Sequence, residues 1–211
     1  MCRLLYARSE DELSIADHLV PFTHIAKNSK EYQGHGWGCA YLDRGEWRVY
    51  KNIQPIWEDP DLGRFGYTSL LIAHARSAFQ NRGLTVENNM PFVDDRYVFV
   101  FNGELRGVRI RAEGRIGAEK IFNFIKRFDK GDMESALERA TTVLGRRTEY
   151  IKAMNILVAD KDKAYVASFF NEDPEYFTIH TKTNGVVIVC SEPYPGESNW
   201  VEVPNRSIKV L

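Results

Sequence analysis

A chain of 211 residues that is 44% hydrophobic and 27% charged has ample apolar material for one core and rather little for two, so a single domain over residues 1–211 is expected. Its net charge of −1 is built from scattered basic residues, which excludes the electrostatic footprint of a nucleic-acid binder. Acidic residues interrupt the N-terminus before any stretch long enough for a signal peptide, and no later apolar run spans a bilayer; a cytoplasmic protein without membrane contact is expected.

The chain begins with a short apolar strand, Cys2 to Ala7. Ser9 and Glu12 stand in capping-box register, and Leu13, Ala16, Leu19 and Val20 predict a first helix that Pro21 ends. Gly36 to Leu42 and Trp47 to Asn52 read as strands around a turn at Asp43-Arg44-Gly45-Glu46, Leu70 to Ala75 as a buried strand and Tyr97 to Phe101 as another. The segment Leu105 to Gly117 is poorly periodic and reads as loop. Ala118, Ile121, Phe122, Ile125 and Phe128 recur at helical spacing, as do Met133, Ala136, Leu137, Ala140, Val143 and Leu144 before Gly145. Met154 to Ala159, Ala164 to Phe170, Tyr176 to His180 and Val186 to Cys190 then form an antiparallel meander, its last turn at Thr183-Asn184-Gly185. The apolar runs Met154 to Ala159 and Val186 to Cys190 imply burial on both faces, as in two stacked sheets covered by helices.

Cys2, Cys39 and Cys190 form no paired framework and no metal-ligand spacing with the five histidines, so free thiols, no metal and no cofactor are expected. Three places carry chemistry. Cys2 becomes N-terminal when Met1 is removed, which readily happens before a small residue. Its α-amine, with a reference pKa of about 8, is then a base for its own thiol. Asn102-Gly103 reads on spacing alone as a hairpin turn; its functional reading is an oxyanion hole, a side-chain amide and a backbone N–H aimed at an attacked carbonyl. Ala73-His74-Ala75-Arg76-Ser77 runs a buried strand into a polar end, where Arg76 is either a solvated strand end or a planar clamp for a substrate carboxylate. His74, on an apolar strand, reads as structural.

Taken together, Met-Cys-Arg-Leu-Leu at the start, Gly36-Trp37-Gly38 with Tyr41, Ala73 to Arg76, Asn88-Asn89-Met90-Pro91-Phe92, Phe101 to Leu105 and Ser191-Glu192-Pro193 resemble the class II glutamine amidotransferases, most of all their small stand-alone amidohydrolase branch. The resemblance runs from Cys2 to about Pro193. It implies the N-terminal-nucleophile hydrolase fold, an α+β, four-layer αββα sandwich of two antiparallel sheets. It also implies Cys2 as nucleophile and base, Asn102 with Gly103 as oxyanion hole, and Arg76 and Ser77 at the substrate. Three departures stand out. Met90 and Phe101 replace histidines common in the family. Gly117, in Ile116-Gly117-Ala118-Glu119, replaces an aspartate that ordinarily holds the substrate's α-ammonium. His35, before Gly36-Trp37-Gly38, offers no carboxylate either and reads as surface or structural.

The expected activity is cleavage of a glutamine-like or γ-glutamyl amide through a Cys2 thioester, with a small-molecule amide as partner. Two alternatives stand beside it: a glutaminase subunit that hands ammonia to a separate synthase subunit, and a non-catalytic ligand-binding relative. Homo-oligomerisation is compatible with each.

Overall fold

The computed structural model describes residues 1–211. The first strand, β1 (Arg3–Ser14), is central rather than peripheral: it pairs antiparallel with β4 (Tyr67–Ala75) on one side and β10 (Val186–Cys190) on the other. The seven-stranded sheet continues outward through β2 (Trp37–Asp43) and β3 (Glu46–Asn52) at one edge and β9 (His180–Asn184) and β11 (Val201–Glu202) at the other. A second sheet of five strands has the order β12 (Ser207–Val210), β8 (Ala164–Ser168), β7 (Tyr150–Ala159), β6 (Val98–Arg106) and β5 (Phe92–Val93). Helix α1 (Ile15–Lys27) packs on the outer face of the larger sheet. Helices α2 (Gly117–Lys126) and α3 (Met133–Arg147) pack on the smaller sheet, and a one-turn helix, α4 (Pro174–Phe177), joins β8 to β9. The layers run helix, sheet, sheet, helix, which is the expected αββα sandwich. No helix is long and apolar enough to cross a membrane.

Strand alternation sorts the core. Along β1, Leu4 and Tyr6 face the gap between the sheets while Leu5 and Ala7 face α1. Along β4, Leu70 and Ile72 face the gap, and Leu71, Ala73 and Ala75 face α1. In β6 the Phe99 ring stacks on Phe122 of α2 at 5.0 Å, so Val98, Val100 and Asn102 take the opposite, inter-sheet face.

Several expectations fail, each for a local reason. The first helix starts at Ile15 rather than after Ser9: Ser9 caps a turn instead, accepting from the Asp11 N–H at 3.2 Å, and Ser14 is the true N-cap, accepting from Asp17 at 3.3 Å. Pairing of β1 with two neighbours outweighs the capping-box signal, and Pro21 lies inside the helix, not at its end. Asn102-Gly103 makes no turn. The strand runs straight through, Asn102 opposite Asn155 and Gly103 opposite Met154. Tyr176 to His180 is not a strand either: Pro174 opens a helical turn that buries Tyr176 and Phe177, and pairing begins at His180. Finally, α3 runs past Gly145 to Arg147, and β8 stops at Ser168. The turn at Arg44-Gly45 and the Gly185 turn hold, with positive φ where glycine stands, 79° and 72°.

Candidate active site

Because Cys2 precedes Leu4 by two residues, its side chain shares the inter-sheet face of β1. Arg76 leaves β4 at the same end, and Asn102 lies on the same gap from the other sheet. The Ser77 backbone N–H donates to Cys2 Sγ at 3.5 Å, and the thiol lies 3.6 Å from the Ser77 carbonyl. It is thus the backbone of Ser77 that meets the sulfur. Burial pushes the Cys2 thiol above its usual range, against the opposing pull of the N-terminal ammonium, the Ser77 N–H and Arg76. A thiol in this state needs a base to become a nucleophile.

Arg76 is buried, and its fork is pre-set. One terminal nitrogen donates to Asn89 Oδ1 at 3.1 Å, the other to the Gly83 carbonyl at 2.8 Å and the Arg82 carbonyl at 3.4 Å. Asn89 in turn donates to the Asn52 carbonyl at 2.8 Å, lying so close over Gly36 that a Cβ there would collide with its side-chain nitrogen. Gly36 has φ +103°, so backbone and space both demand glycine. These contacts join Asn89 and Gly36 to the arginine in one hydrogen-bonded unit.

Asn102 is 1% exposed, and its side-chain oxygen has no hydrogen-bond partner. That oxygen is an acceptor; the group of Asn102 that can meet an oxyanion is the side-chain N–H beside it. Gly103 packs on the Ala153 carbonyl so tightly that any Cβ would collide with it. The site of this pair is fixed by His74, whose Nε2–H donates to the Phe101 carbonyl at 3.2 Å and ties the two sheets together just before Asn102. Burial pushes His74 down to about 3, despite its bond to Phe101, with Arg76 and Lys51 adding to the shift; the ring is neutral and structural. The sign follows. The unfolded histidine takes up a proton below about pH 6.5 that the folded one refuses. Its contribution to stability is therefore full above that pH and is lost as pH falls toward about 3. Denaturant unfolding at pH 7 and pH 5 should show His74→Gln losing roughly 2 kcal/mol less over that interval than the natural protein. Equal losses would mean that His74 titrates normally.

Gly117 opens α2 with no atom within 4 Å of where a Cβ would stand. The space an aspartate would fill is open. The neighbour of Gly117 in sequence, Ile116, lies toward the arginine: a Cβ on Gly83 would stand 3.8 Å from the Arg76 fork and 4.0 Å from Ile116. On the other side lies Lys51, which sequence reasoning missed. Leu4, His74, Gly38 and Lys51 are successive cross-strand partners, so Lys51 shares the inter-sheet face and its stem passes over Gly38. Its ammonium lies 5.2 Å from the Phe92 ring, and burial, reinforced by Arg115, pushes it down to about 8. Glu119, the carboxylate nearest Gly117 in sequence, is tied to Arg115 at 2.6 Å and is not free to take the missing aspartate's place.

Gln33 and Tyr176 also escaped the sequence reading. Both donate to the Met1 carbonyl at 2.5 Å, Gln33 through Nε2 and Tyr176 through its hydroxyl. Gln33 is fully buried, and its Oε1 has no partner. Nothing in the local pattern marks Gln33, and Tyr176 was hidden inside an apolar run misread as a strand.

The fold, two antiparallel sheets between helix layers, is similar to that of solved class II glutamine amidotransferase domains. Among solved structures, a glutamine aminotransferase class-II domain protein from Silicibacter pomeroyi superposes with a TM-score of 0.70 at 19% identity, over 99% of this chain and 94% of that one. The glutamine phosphoribosylpyrophosphate amidotransferase of B. subtilis gives a TM-score of 0.69 at 15% identity, over 100% of this chain and 49% of that one. In sequence, a γ-glutamyl-hercynylcysteine sulfoxide hydrolase from Mycobacterium tuberculosis is 24% identical over 188 residues, covering 82% of this chain and 73% of the relative. No family model matches the chain.

Proposed function

We propose that the chain is an amidohydrolase that cleaves a γ-glutamyl-type amide through a thioester on Cys2, freed by removal of Met1. The observation that carries this reading is that a half-buried sulfur, a pre-set arginine fork and the buried Asn102 share one end of the inter-sheet gap. The α-amine of Cys2 takes the thiol proton as Sγ attacks the amide carbon. Asn102 and the Gly103 N–H receive the oxyanion, and Arg76 pairs with the substrate carboxylate. The ammonium returns its proton to the departing nitrogen as the C–N bond breaks. Water, deprotonated by the same amine, then hydrolyses the thioester to a carboxylic acid and regenerates the thiol. The nature of the relatives, hydrolase and amidotransferase, supports the same chemistry.

A thiol-directed glutamine analogue followed by mass spectrometry tests it. One adduct, on the Cys2 peptide, is expected, because Cys39 and Cys190 are buried while Cys2 is only half-buried, and burial pushes Cys190 up to about 12 and Cys39 further. An unlabelled protein that still binds the analogue would support the non-catalytic reading instead.

The open space at Gly117 bears on substrate choice. A pocket that keeps Arg76 and lacks the aspartate demands a carboxylate but gains little from a free α-amine. Losing that charge-assisted bond lowers kcat/KM for free glutamine by about one to two orders of magnitude. Gly117→Asp, which meets no steric obstacle, should shift the ratio of glutamine to amine-blocked glutamyl amides toward glutamine. An unaltered ratio, or a natural protein that strongly prefers glutamine, would refute this. The same feature speaks against the glutaminase-subunit reading.

A further inference from the structure

The residue joined to the α-nitrogen of Cys2 occupies a built slot. The Met1 side chain is 10% exposed and packs against Ala153, Tyr176 and Phe177, with Phe170 alongside. Its carbonyl oxygen accepts from both Gln33 and Tyr176, and its ammonium lies 3.7 Å from Glu31. One wall of the slot, Ala153, is the residue whose carbonyl Gly103 packs against, so slot and oxyanion pair are neighbours.

We infer that this slot, once Met1 is removed, is the subsite for the departing amine, and that the substrate is a secondary γ-glutamyl amide of an apolar, amino-acid-like amine rather than a primary amide. The inference rests on the proposed Cys2 mechanism. In that mechanism the α-amine hands its proton to the departing nitrogen, so that nitrogen sits within hydrogen-bond reach of the atom Met1 now substitutes. Whatever the departing nitrogen carries is then delivered to the space beside it. Aromatic walls suit an unbranched or aromatic side chain. The two donors now on the Met1 carbonyl suit a carboxylate or carbonyl oxygen close to the nitrogen, and the unpartnered, buried Gln33 Oε1 is an acceptor for an N–H. Ammonia would use none of these contacts.

Two measurements test the slot. The first compares kcat/KM of the processed protein for glutamine, γ-glutamylglycine and γ-glutamylmethionine. The methionine compound should exceed the glycine one by about tenfold to a hundredfold, the return on burying one such side chain. Phe170→Ala should shrink that ratio. The second uses the processed Cys2→Ala protein and calorimetry with free L-methionine and glycine; methionine should bind more tightly, and a Met1-retaining form should bind neither. Glutamine or γ-glutamylglycine turned over as well as γ-glutamylmethionine, or equal affinity for the two free amino acids, overturns the slot and leaves the amidase reading intact. Methionine binding without turnover of any amide overturns the amidase reading and leaves the slot.

Discussion

A form of the protein that keeps Met1 behind an uncleavable leader is expected to make no acyl-enzyme while folding normally. With Met1 in place the nitrogen of Cys2 is an amide and has no basicity, and desolvation pushes the half-buried thiol above its usual range. No other base contacts the sulfur, whose hydrogen-bond contacts are with the Ser77 backbone. His74 spends its Nε2–H on the Phe101 carbonyl and is held neutral. His35 accepts the Ala78 N–H on Nδ1 at 2.9 Å, and burial, with Arg76 and the N-terminal ammonium, lowers its pKa. Met1 also fills the slot lined by Ala153, Tyr176 and Phe177. Time courses of adduct formation by mass spectrometry, with thermal unfolding as control, decide the point. Equal labelling of the processed and extended forms would show that the α-amine is not the base.

Asn102→Ala should reduce the acylation rate by about two to three orders of magnitude, the usual cost of one oxyanion donor, with little change in substrate affinity. The structure adds a contrast that separates function from folding. The Asn102 side-chain oxygen is buried and unpartnered, so replacing the residue removes an unsatisfied polar group and should leave stability unchanged or slightly higher. Asn155, opposite it, is the reverse case: it donates to the Phe177 carbonyl at 2.6 Å and accepts from the Phe169 N–H at 3.0 Å, so Asn155→Ala should cost stability first. Single-turnover kinetics and denaturant unfolding on both variants check the pair. If Asn102→Ala turns over a cleavable substrate at the natural rate, Asn102 serves only the strand.

What was legible in the chain by itself was whatever depends on residue type and short spacing. Period-two and helical runs marked most of the strands and the two helices over the smaller sheet, since burial on one face imposes those periods directly. The chemistry of Cys2, Asn102, Gly103, Arg76 and Gly117 was readable because each residue type carries its own donor, nucleophile or absence of bulk. Tertiary structure decided the rest. Ser9 lost its cap because a strand between two partners outweighs one side-chain hydrogen bond, and Asn102-Gly103 ran straight because β7 pairs through both residues. Local signals compete with sheet pairing, and pairing depends on residues far apart in the chain. Lys51, Gln33 and Tyr176 reach the site through cross-sheet register and a helical turn, contacts of long sequence separation that leave no trace in local pattern. So the sequence by itself determined which groups could react, and only the folded sheets decided which groups surround them.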